Sequence, residues 1–242
     1  MRLNAALPWR WVPPITAPAA TQMALDRWML QQLLAGGPPM LRLYRWSVPA
    51  LSLGRHQQRW PAAWREEAVE LVRRPSGGRA VLHAGELTYA LVFRPPTRDR
   101  KAVYRHCCQW LQQALAQAGE PLHFGQASPT AAAQRSSCFA TATAADLVTA
   151  RGAKRIGSAQ LWHGPALLQH GSLLLDPPAA LWQRLFQVDP PALAPLPWGP
   201  EQLEQQLRQA AEEHLCPEGL IAQPLSPEEW AAVRALEPLG CV

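Results

Sequence analysis

A short polar segment ahead of a hydrophobic strand carries side chains suited to binding a charged ligand. Residues 73–78 read Arg-Arg-Pro-Ser-Gly-Gly, and His83 follows shortly before the alternating apolar residues of 87–93. Glycines let backbone N–H groups approach a ligand closely, and arginine pairs with phosphate or carboxylate. The GxxxxGK[ST] pattern of nucleotide-binding loops is not present. The segment is therefore either a ligand cradle or an ordinary hairpin between strands.

Two further groups with acid–base chemistry follow beyond residue 150. Lys154 precedes a Gly-Ser-Ala turn at 157–159, and a His-Gly-Ser block at 170–172 interrupts an apolar run. A lysine in such a position can simply be solvated, and a histidine there can be a hydrogen-bonded structural residue. Taken separately, these residues do not distinguish catalysis from structure.

The cysteines offer one candidate nucleophile. The chain has five of them, Cys107, Cys108, Cys138, Cys216 and Cys241, with no CxxC pair, so we expect neither a disulfide framework nor a metal site. The first two lie in a helical pattern, and the last two have no supporting chemistry nearby. Cys138 is either a small buried residue beside Phe139 or a nucleophile.

The overall composition restricts the class of protein. At 242 residues, with 48% hydrophobic and 17% charged residues, the chain has enough material for a large core. The net charge of +5 slightly favours an acidic partner, but no basic run is interleaved with aromatic residues, so no nucleic acid is expected. No segment is long enough to span a membrane, and prolines interrupt the N-terminal apolar stretch. We expect a soluble cytoplasmic protein.

The elements that must position these residues are mixed helices and strands. The patterns predict a helix over Thr21–Gly36, two strands around a turn over Pro39–Gln57, and a helix running into a short strand over Pro61–Val72. A long helix over Arg100–Gly119 and a series of hairpins over Lys154–Leu175 follow. Short turns between the central strands favour antiparallel pairing.

From these patterns we predict an α+β fold: a mixed, largely antiparallel sheet with helices packed on its faces. Residues 1–242 are expected to form a single catalytic domain. A proline-rich connection and C-terminal helices occupy 177–242, which could form a small appendage.

In combination, the blocks resemble a known family. The segments Arg73–Phe93, "CFATATAADLV" and Lys154–Leu175 follow one another as in the lipoate/octanoate attachment family, which is related to biotin protein ligases. Gln22–Asp26 and Gly54–Gln57 extend the resemblance toward the N-terminus. It implies the catalytic-domain fold of the biotin and lipoate protein ligases.

The resemblance also implies roles for individual residues. Residues 73–78, called the glycine segment below, would wrap an acyl chain and its activated head group. Lys154 would contact the acyl carbonyl or an adenylate phosphate. The block at 170–172, which includes Ser172, would form another wall of the same pocket. The substrate-binding residues so implied are Arg73, Arg74, Ser76, Gly77, Gly78, His83, Gly157, Ser158, Ala159, His170 and Gly171.

Two differences from the typical ligase sequence favour a transferase over an ATP-dependent ligase within this family. Arg79 stands where many ligases have a third glycine, and "SSCF" precedes the Asp-Leu-Val block, as in one class of octanoyltransferases. Cys138 would then carry an octanoyl thioester, and Lys154 would supply a nearby positive charge and steady the oxyanion. His83 and His170 both remain candidates for the final proton acceptor.

The predicted reaction moves an octanoyl group from acyl carrier protein to a lysine of lipoyl domains, without a cofactor. The acceptors would be 2-oxoacid dehydrogenases or the glycine cleavage H protein. The alternatives are an ATP-dependent lipoate ligase, a lipoyl amidotransferase of the same fold, and a non-catalytic acyl-binding protein.

Overall fold

The strands form two sheets. The computed structural model describes residues 7–125, 146–240 and 242. Within these ranges the strands are β1 Trp9–Ala17, β2 Met40–Trp46, β3 Ala50–Leu53, β4 Glu70–Arg73, β5 Val81–His83, β6 Glu86–Phe93, β7 His123–Phe124, β8 Asp146–Val148, β9 Lys154–His163, β10 Ala166–Leu174 and β11 Leu220–Ala222. The larger sheet has the order β11-β1-β2-β6-β10-β9-β8-β7, and the smaller has the order β4-β3-β5.

Helices cover both faces of the larger sheet. They are α1 Ala19–Leu34, α2 Arg100–Gln117, α3 Ala179–Phe186, α4 Pro200–His214 and α5 Pro227–Leu236, with short 3₁₀ turns at Ala62–Arg65 and Glu237–Gly240. Helices α2 and α4 pack together on one face, and α1 and α5 pack together on the other. Helix α3 packs against the smaller sheet.

The pairing confirms the predicted fold class. In the larger sheet β1 runs parallel to β2 and β11, whereas β2, β6, β10, β9, β8 and β7 pair antiparallel in turn. The alternation in β6 separates its side chains: Leu87, Tyr89 and Leu91 face α2, while Ala90 and Val92 face α1. Both faces of β6 are buried, which explains its continuous apolar run.

Three local elements differ from the sequence-based prediction. Strand β1 contains Pro13 and Pro14, and the sheet accommodates them because its register shifts between Val12 and Ile15. Over Pro61–Val72 the predicted short strand is present as β4, but the helix predicted before it is only a 3₁₀ turn, because the segment is short. Helix α3 lies in the proline-rich stretch, where only an irregular connection was expected.

The C-terminal segment packs on the rest of the chain. Strand β11 hydrogen-bonds to β1 at the sheet edge, and α5 lies on α1. The buried Arg10 guanidinium binds both carboxylate oxygens of Glu229 at 2.7 Å, which ties β1 to α5. Across the part of the chain with described structure, no helix is both long and apolar enough to span a bilayer.

Candidate active site

A narrow cavity of about 40 Å³ lies between the middle of the larger sheet and the smaller sheet. It draws its walls from α1, β2, β3, the glycine segment, β5, β6, β9 and β10. The lining residues are Met23, Tyr44, Ser52, Arg74, Val81, His83, Thr88, Gly157, Ser158, Ala159, His170, Gly171 and Ser172.

The cavity brings together most of the residues implied by sequence resemblance. Arg74, His83, residues 157–159 and the block at 170–172 all contribute to its wall, although they lie far apart along the chain. The turn predicted at 157–159 is wrong, because these residues pair with β10 as part of strand β9. Ser76 contacts the wall through a hydrogen bond to His170. Arg73, Gly77, Gly78 and Lys154 are not among the lining residues.

Arg74 holds the glycine segment in place through hydrogen bonds to backbone carbonyl oxygens. Its buried guanidinium donates hydrogen bonds to the carbonyl oxygens of Ser52 at 2.7 Å, Gly77 at 2.8 Å and Arg79 at 2.6 Å. Gly78 adopts φ +98°, and a Cβ on Gly54 would lie 1.9 Å from the Gly78 carbonyl oxygen. The two backbones therefore approach each other closely only because both residues are glycines.

Arg73 points away from the cavity. Its Nη1 donates to the carbonyl oxygens of Gly54 at 3.0 Å and Gln57 at 2.9 Å, and its guanidinium lies 5.7 Å from the Trp60 ring centroid. It therefore braces the outer side of the glycine segment through the loop at 54–57.

His170 lies in a buried chain of hydrogen bonds. Its Nδ1 is 2.6 Å from Asp26 Oδ2, and its Nε2 is 2.5 Å from Ser76 Oγ. Because a carboxylate can only accept, His170 Nδ1–H donates to Asp26, and in the neutral ring Nε2 then accepts from the Ser76 hydroxyl. Helix α1 thus fixes both the histidine ring and the glycine segment.

Arg42 balances the charge of Asp26. Its Nη2 lies 2.6 Å from Asp26 Oδ1, its Nη1 donates to Gln22 Oε1, and its guanidinium lies 3.7 Å from the Tyr44 ring centroid. Burial alone would raise the pKa of Asp26, but the charge of Arg42 and the hydrogen bond from His170 outweigh it, so the pKa is lowered. Asp26 is a fixed, paired anion.

His83 occupies a second chain with the same pattern. Its Nδ1 is 2.5 Å from Glu86 Oε1, and its Nε2 is 2.7 Å from Ser52 Oγ. The Trp46 ring stacks on the imidazole with centroids 3.9 Å apart. Thr88 also donates to Glu86 Oε1 at 2.7 Å, whereas the buried Oε2 has no hydrogen-bond partner within the described part of the chain.

The wall of the cavity that contains His83 also lines a second, open groove. A groove of about 460 Å³ on its far side is lined by His83, Glu86, Trp46 and Asp176, among others. His83 therefore separates the narrow inner cavity from an open groove, and it contributes to both.

A hydroxyl network closes the α2 side of the cavity. Tyr89 OH lies 2.7 Å from Ser158 Oγ and accepts from Gln169 Nε2 at 2.8 Å. A Cβ on Gly171 would lie 2.5 Å from Ser158 Oγ and 2.7 Å from a Tyr89 ring carbon. Glycine is required here because β9 and Tyr89 crowd the position.

Lys154 is buried in an ion pair. Its Nζ is 2.8 Å from Asp146 Oδ1, and the side chains are 2% and 4% exposed. The pair spans β8 and β9, where the register shifts between Leu147 and Val148. Asp146 therefore fixes the direction of the lysine at the start of β9, three residues before Gly157.

Cys138, the predicted nucleophile, lies outside the described residues. Cys107, Cys108 and Cys216 are fully buried free thiols. Burial raises the pKa of all three thiols, to about 12 for Cys108. These thiols are protonated near neutral pH and closed to a substrate.

Sequence reasoning missed the partners that orient the two histidines. Asp26 lies in the Gln22–Asp26 block, so the resemblance pointed to its helix but not to its role. Glu86 follows His83 by three residues, a local signal that was present. Arg42 and Ser52 gave no signal, since their contacts form only after the sheets assemble.

Comparison with known proteins identifies the family. Residues 18–194 match the lipoyl protein ligase A/B catalytic domain. The chain is 35% identical to octanoyltransferase LipM of Carboxydothermus hydrogenoformans over 176 residues, which are 69% of this chain and 65% of that protein. It is 34% identical to octanoyltransferase LipM of Kyrpidia tusciae over 225 residues, covering 85% of this chain and 76% of that protein.

The fold is shared with a lipoate protein ligase. A putative lipoate protein ligase of T. acidophilum, solved with bound lipoic acid, superimposes with a TM-score of 0.81, covering 96% of each chain at 18% identity. The comparisons confirm the predicted fold class, the predicted family and the predicted relationship to octanoyltransferases. The chain belongs to the lipoyl protein ligase A/B catalytic domain family, and its sequence relatives named here are octanoyltransferases.

Proposed function

We propose that this protein transfers an octanoyl group from acyl carrier protein to a lysine of a lipoyl domain through a thioester on Cys138. The acceptors are lipoyl domains of 2-oxoacid dehydrogenases or the glycine cleavage H protein, and the reaction takes place in the cytoplasm. Residues 1–242 act as one catalytic domain. No ATP is required, because the donor thioester is already activated.

One observation carries the assignment of the nucleophile. Three of the five cysteines are buried thiols with raised pKa values, which leaves Cys138 and Cys241. Cys138 lies within the residues 18–194 that match the family and eight residues before Asp146, the partner of Lys154, whereas Cys241 lies outside the matched residues. Cys138 is therefore the thiol that the chain connects most closely to the site.

The first half-reaction is thioester exchange. The Cys138 thiolate attacks the octanoyl carbonyl carbon, a new C–S bond forms, and the bond to the pantetheine sulfur of the carrier breaks. The pantetheine thiolate leaves with the electron pair and takes up a proton. Exchange between two thioesters costs little free energy, and cysteine is a strong nucleophile once ionised.

Lys154 supports this step as one member of an ion pair. Asp146 neutralises part of its charge but holds it in a fixed direction, so its N–H groups can be preorganised for an oxyanion. Asp146 acts as a positioning residue for Lys154.

The second half-reaction transfers the acyl group to an amine. The neutral lysine nitrogen attacks the octanoyl-Cys138 carbonyl, a C–N bond forms, and the C–S bond breaks to return the thiolate. The nitrogen loses one proton, which we assign to His83 Nε2. Glu86 holds Nδ1 and would stabilise the imidazolium, and His83 lines the cavity and the outer groove.

The assignment of the nucleophile is tested with two matched cysteine variants. Cys138→Ala should lose octanoyl transfer from octanoyl carrier protein to a lipoyl domain by at least about 10³-fold, because no second thiolate can replace it. Cys241→Ala should transfer at the wild-type rate. Transfer by Cys138→Ala at the normal rate, or loss only in Cys241→Ala, would contradict the assignment.

The similarity to a ligase with bound lipoic acid supports a second candidate, an ATP-dependent lipoate ligase. A ligase would attach free lipoate only in the presence of ATP and magnesium, and this activity would survive Cys138→Ala. The proposed transferase should instead show no dependence on ATP with octanoyl carrier protein as donor.

A further inference from the structure

An exposed basic surface surrounds the start of α2. Residues 94–106 contain five cationic side chains and a single acidic residue, Asp99. All five cationic residues are exposed. We call them the α2 basic surface: Arg94, Arg98, Arg100, Lys101 and Arg105.

Folding accounts for Arg94, whose Nη2 donates to the Leu33 carbonyl oxygen at 2.6 Å, but not for the cations at the start of α2. Arg100 and Lys101 occupy the first turn of α2, where the helix dipole disfavours cations. The Asp99 carboxylate caps the helix by accepting from the backbone N–H groups of Lys101 and Ala102. Across 7–125 and 146–240 none of the five cations forms an ion pair with a carboxylate.

The α2 basic surface borders the cavity. Tyr104, between Lys101 and Arg105 on α2, packs against the core cluster that contains Tyr89, whose hydroxyl lies 2.7 Å from Ser158 Oγ in the cavity wall. The Arg100 guanidinium lies 5.8 Å from the ring centroid of Trp162, which is in β9, the strand that also contains residues 157–159. A macromolecule bound to this surface would therefore lie beside the cavity.

We propose that the α2 basic surface docks the acidic acyl carrier protein that brings the octanoyl group. This inference rests on the proposed function and adds the place where the donor binds. The donor arm carries a phosphodiester, an anion that arginine binds well, whereas the acceptor arm is a lysine, a cation that this surface repels. The charge therefore fits the donor better than the lipoyl domain.

Charge reversal on α2 tests the docking surface. Lys101→Glu and Arg105→Glu together should raise the KM for octanoyl carrier protein about tenfold and weaken its dependence on salt. The rate of octanoyl-enzyme formation from octanoyl-pantetheine, which has neither protein nor phosphate, should stay unchanged. Lys101→Glu alone should raise the melting temperature, because an acidic residue in the first turn suits the helix dipole.

A control variant on another face of the sheet separates donor docking from the other outcomes. Arg234→Glu, an exposed change on α5 on the opposite face of the sheet, should leave the KM for the carrier unchanged. An unchanged KM in the α2 variant, or an equal loss with octanoyl-pantetheine, would overturn the proposal. Slower transfer only from isolated octanoyl-enzyme to the lipoyl domain would overturn it in favour of acceptor docking.

Failure of the proposed function would show differently. In that case the wild-type protein would form no octanoyl-enzyme from either donor. Titration of holo carrier protein onto wild-type and variant proteins would still test docking, because binding does not require turnover. Equal affinity of the two proteins would overturn the proposal.

Discussion

The two histidines at the cavity have the same hydrogen-bond pattern in different electrostatic surroundings. Each places Nδ1 on a carboxylate and Nε2 on a serine hydroxyl: His170 between Asp26 and Ser76, and His83 between Glu86 and Ser52. The Asp26 carboxylate is paired with Arg42. Among residues 7–125 and 146–240, the Glu86 carboxylate has no cationic partner other than the imidazole, and one of its oxygens has no hydrogen-bond partner.

This difference assigns different tasks to similar groups. A carboxylate already neutralised by arginine holds a ring in place but offers little further stabilisation to an imidazolium. The Glu86 carboxylate can act as the counter-charge of an imidazolium formed during transfer, and Arg74 is bonded to the Ser52 hydroxyl on the Nε2 side of the ring. We therefore treat His170 as a positioning residue for the glycine segment and His83 as the proton acceptor.

The largest expected effect comes from Asp26→Asn. This change leaves the Arg42 cation buried without its carboxylate and should lower the free energy of unfolding by about 3–5 kcal/mol. Urea denaturation measures the loss. Since the pKa of Asp26 is lowered from 3.8 in the folded state, wild-type stability should fall as pH drops below that value through the folded pKa. The variant should lack this contribution.

A double variant keeps this prediction testable if Asp26→Asn does not fold. Combining it with Arg42→Met removes both charges and should recover part of the lost stability. Wild-type stability in Asp26→Asn alone would show that the ion pair contributes nothing and that the two histidine chains are electrostatically alike.

A smaller effect is expected from Ser76→Ala. The substitution removes the hydroxyl that donates to His170 Nε2 and leaves a buried acceptor unpaired, which should cost about 1–2 kcal/mol. The loss is measured by thermal or urea denaturation. A cost indistinguishable from zero would show that His170 does not hold the glycine segment.

The smallest effect on stability is expected from Glu86→Gln. The amide can keep the hydrogen bonds from His83 and Thr88, so the free energy of unfolding should change by less than about 1 kcal/mol. Transfer from isolated octanoyl-enzyme to the lipoyl domain should nevertheless slow about 10²-fold, because the imidazolium loses its counter-charge. Single-turnover rates measured across pH would report this effect.

Glu86→Gln also separates the two half-reactions. Formation of octanoyl-enzyme from octanoyl carrier protein should proceed at the wild-type rate, since His83 is not assigned to that step. A normal second half-reaction in this variant would exclude His83 as the proton acceptor and remove the functional contrast with His170.

The local part of this organisation could be predicted from the sequence. The alternation of β6, the helix α2 with its glycine stop and the polar segment at 73–78 all follow from spacing and residue type. The family resemblance added the prediction that these blocks lie together around one pocket. Strand β1 was missed because Pro13 and Pro14 argue against a strand, and only the register shift against β2 makes them compatible with the sheet.

The oriented contacts of the site were beyond sequence reasoning. Asp26 and His170 are 144 positions apart and meet only because α1 packs over β10. The ion pair between Lys154 and Asp146 joins β9 to β8 beside a shift in their register, which no local sequence pattern predicts. The burial of Cys108 could be expected from its helical context, but its raised pKa required the surrounding structure.

The central claim, a thioester on Cys138, is tested most directly by intact-mass spectrometry. Wild-type protein is mixed with octanoyl carrier protein without ATP, and the acyl-enzyme is then treated with hydroxylamine or digested for peptide mapping. The account predicts one octanoyl increment that hydroxylamine removes and that maps to the peptide containing Cys138. No increment, or one that persists unchanged in Cys138→Ala, would contradict it.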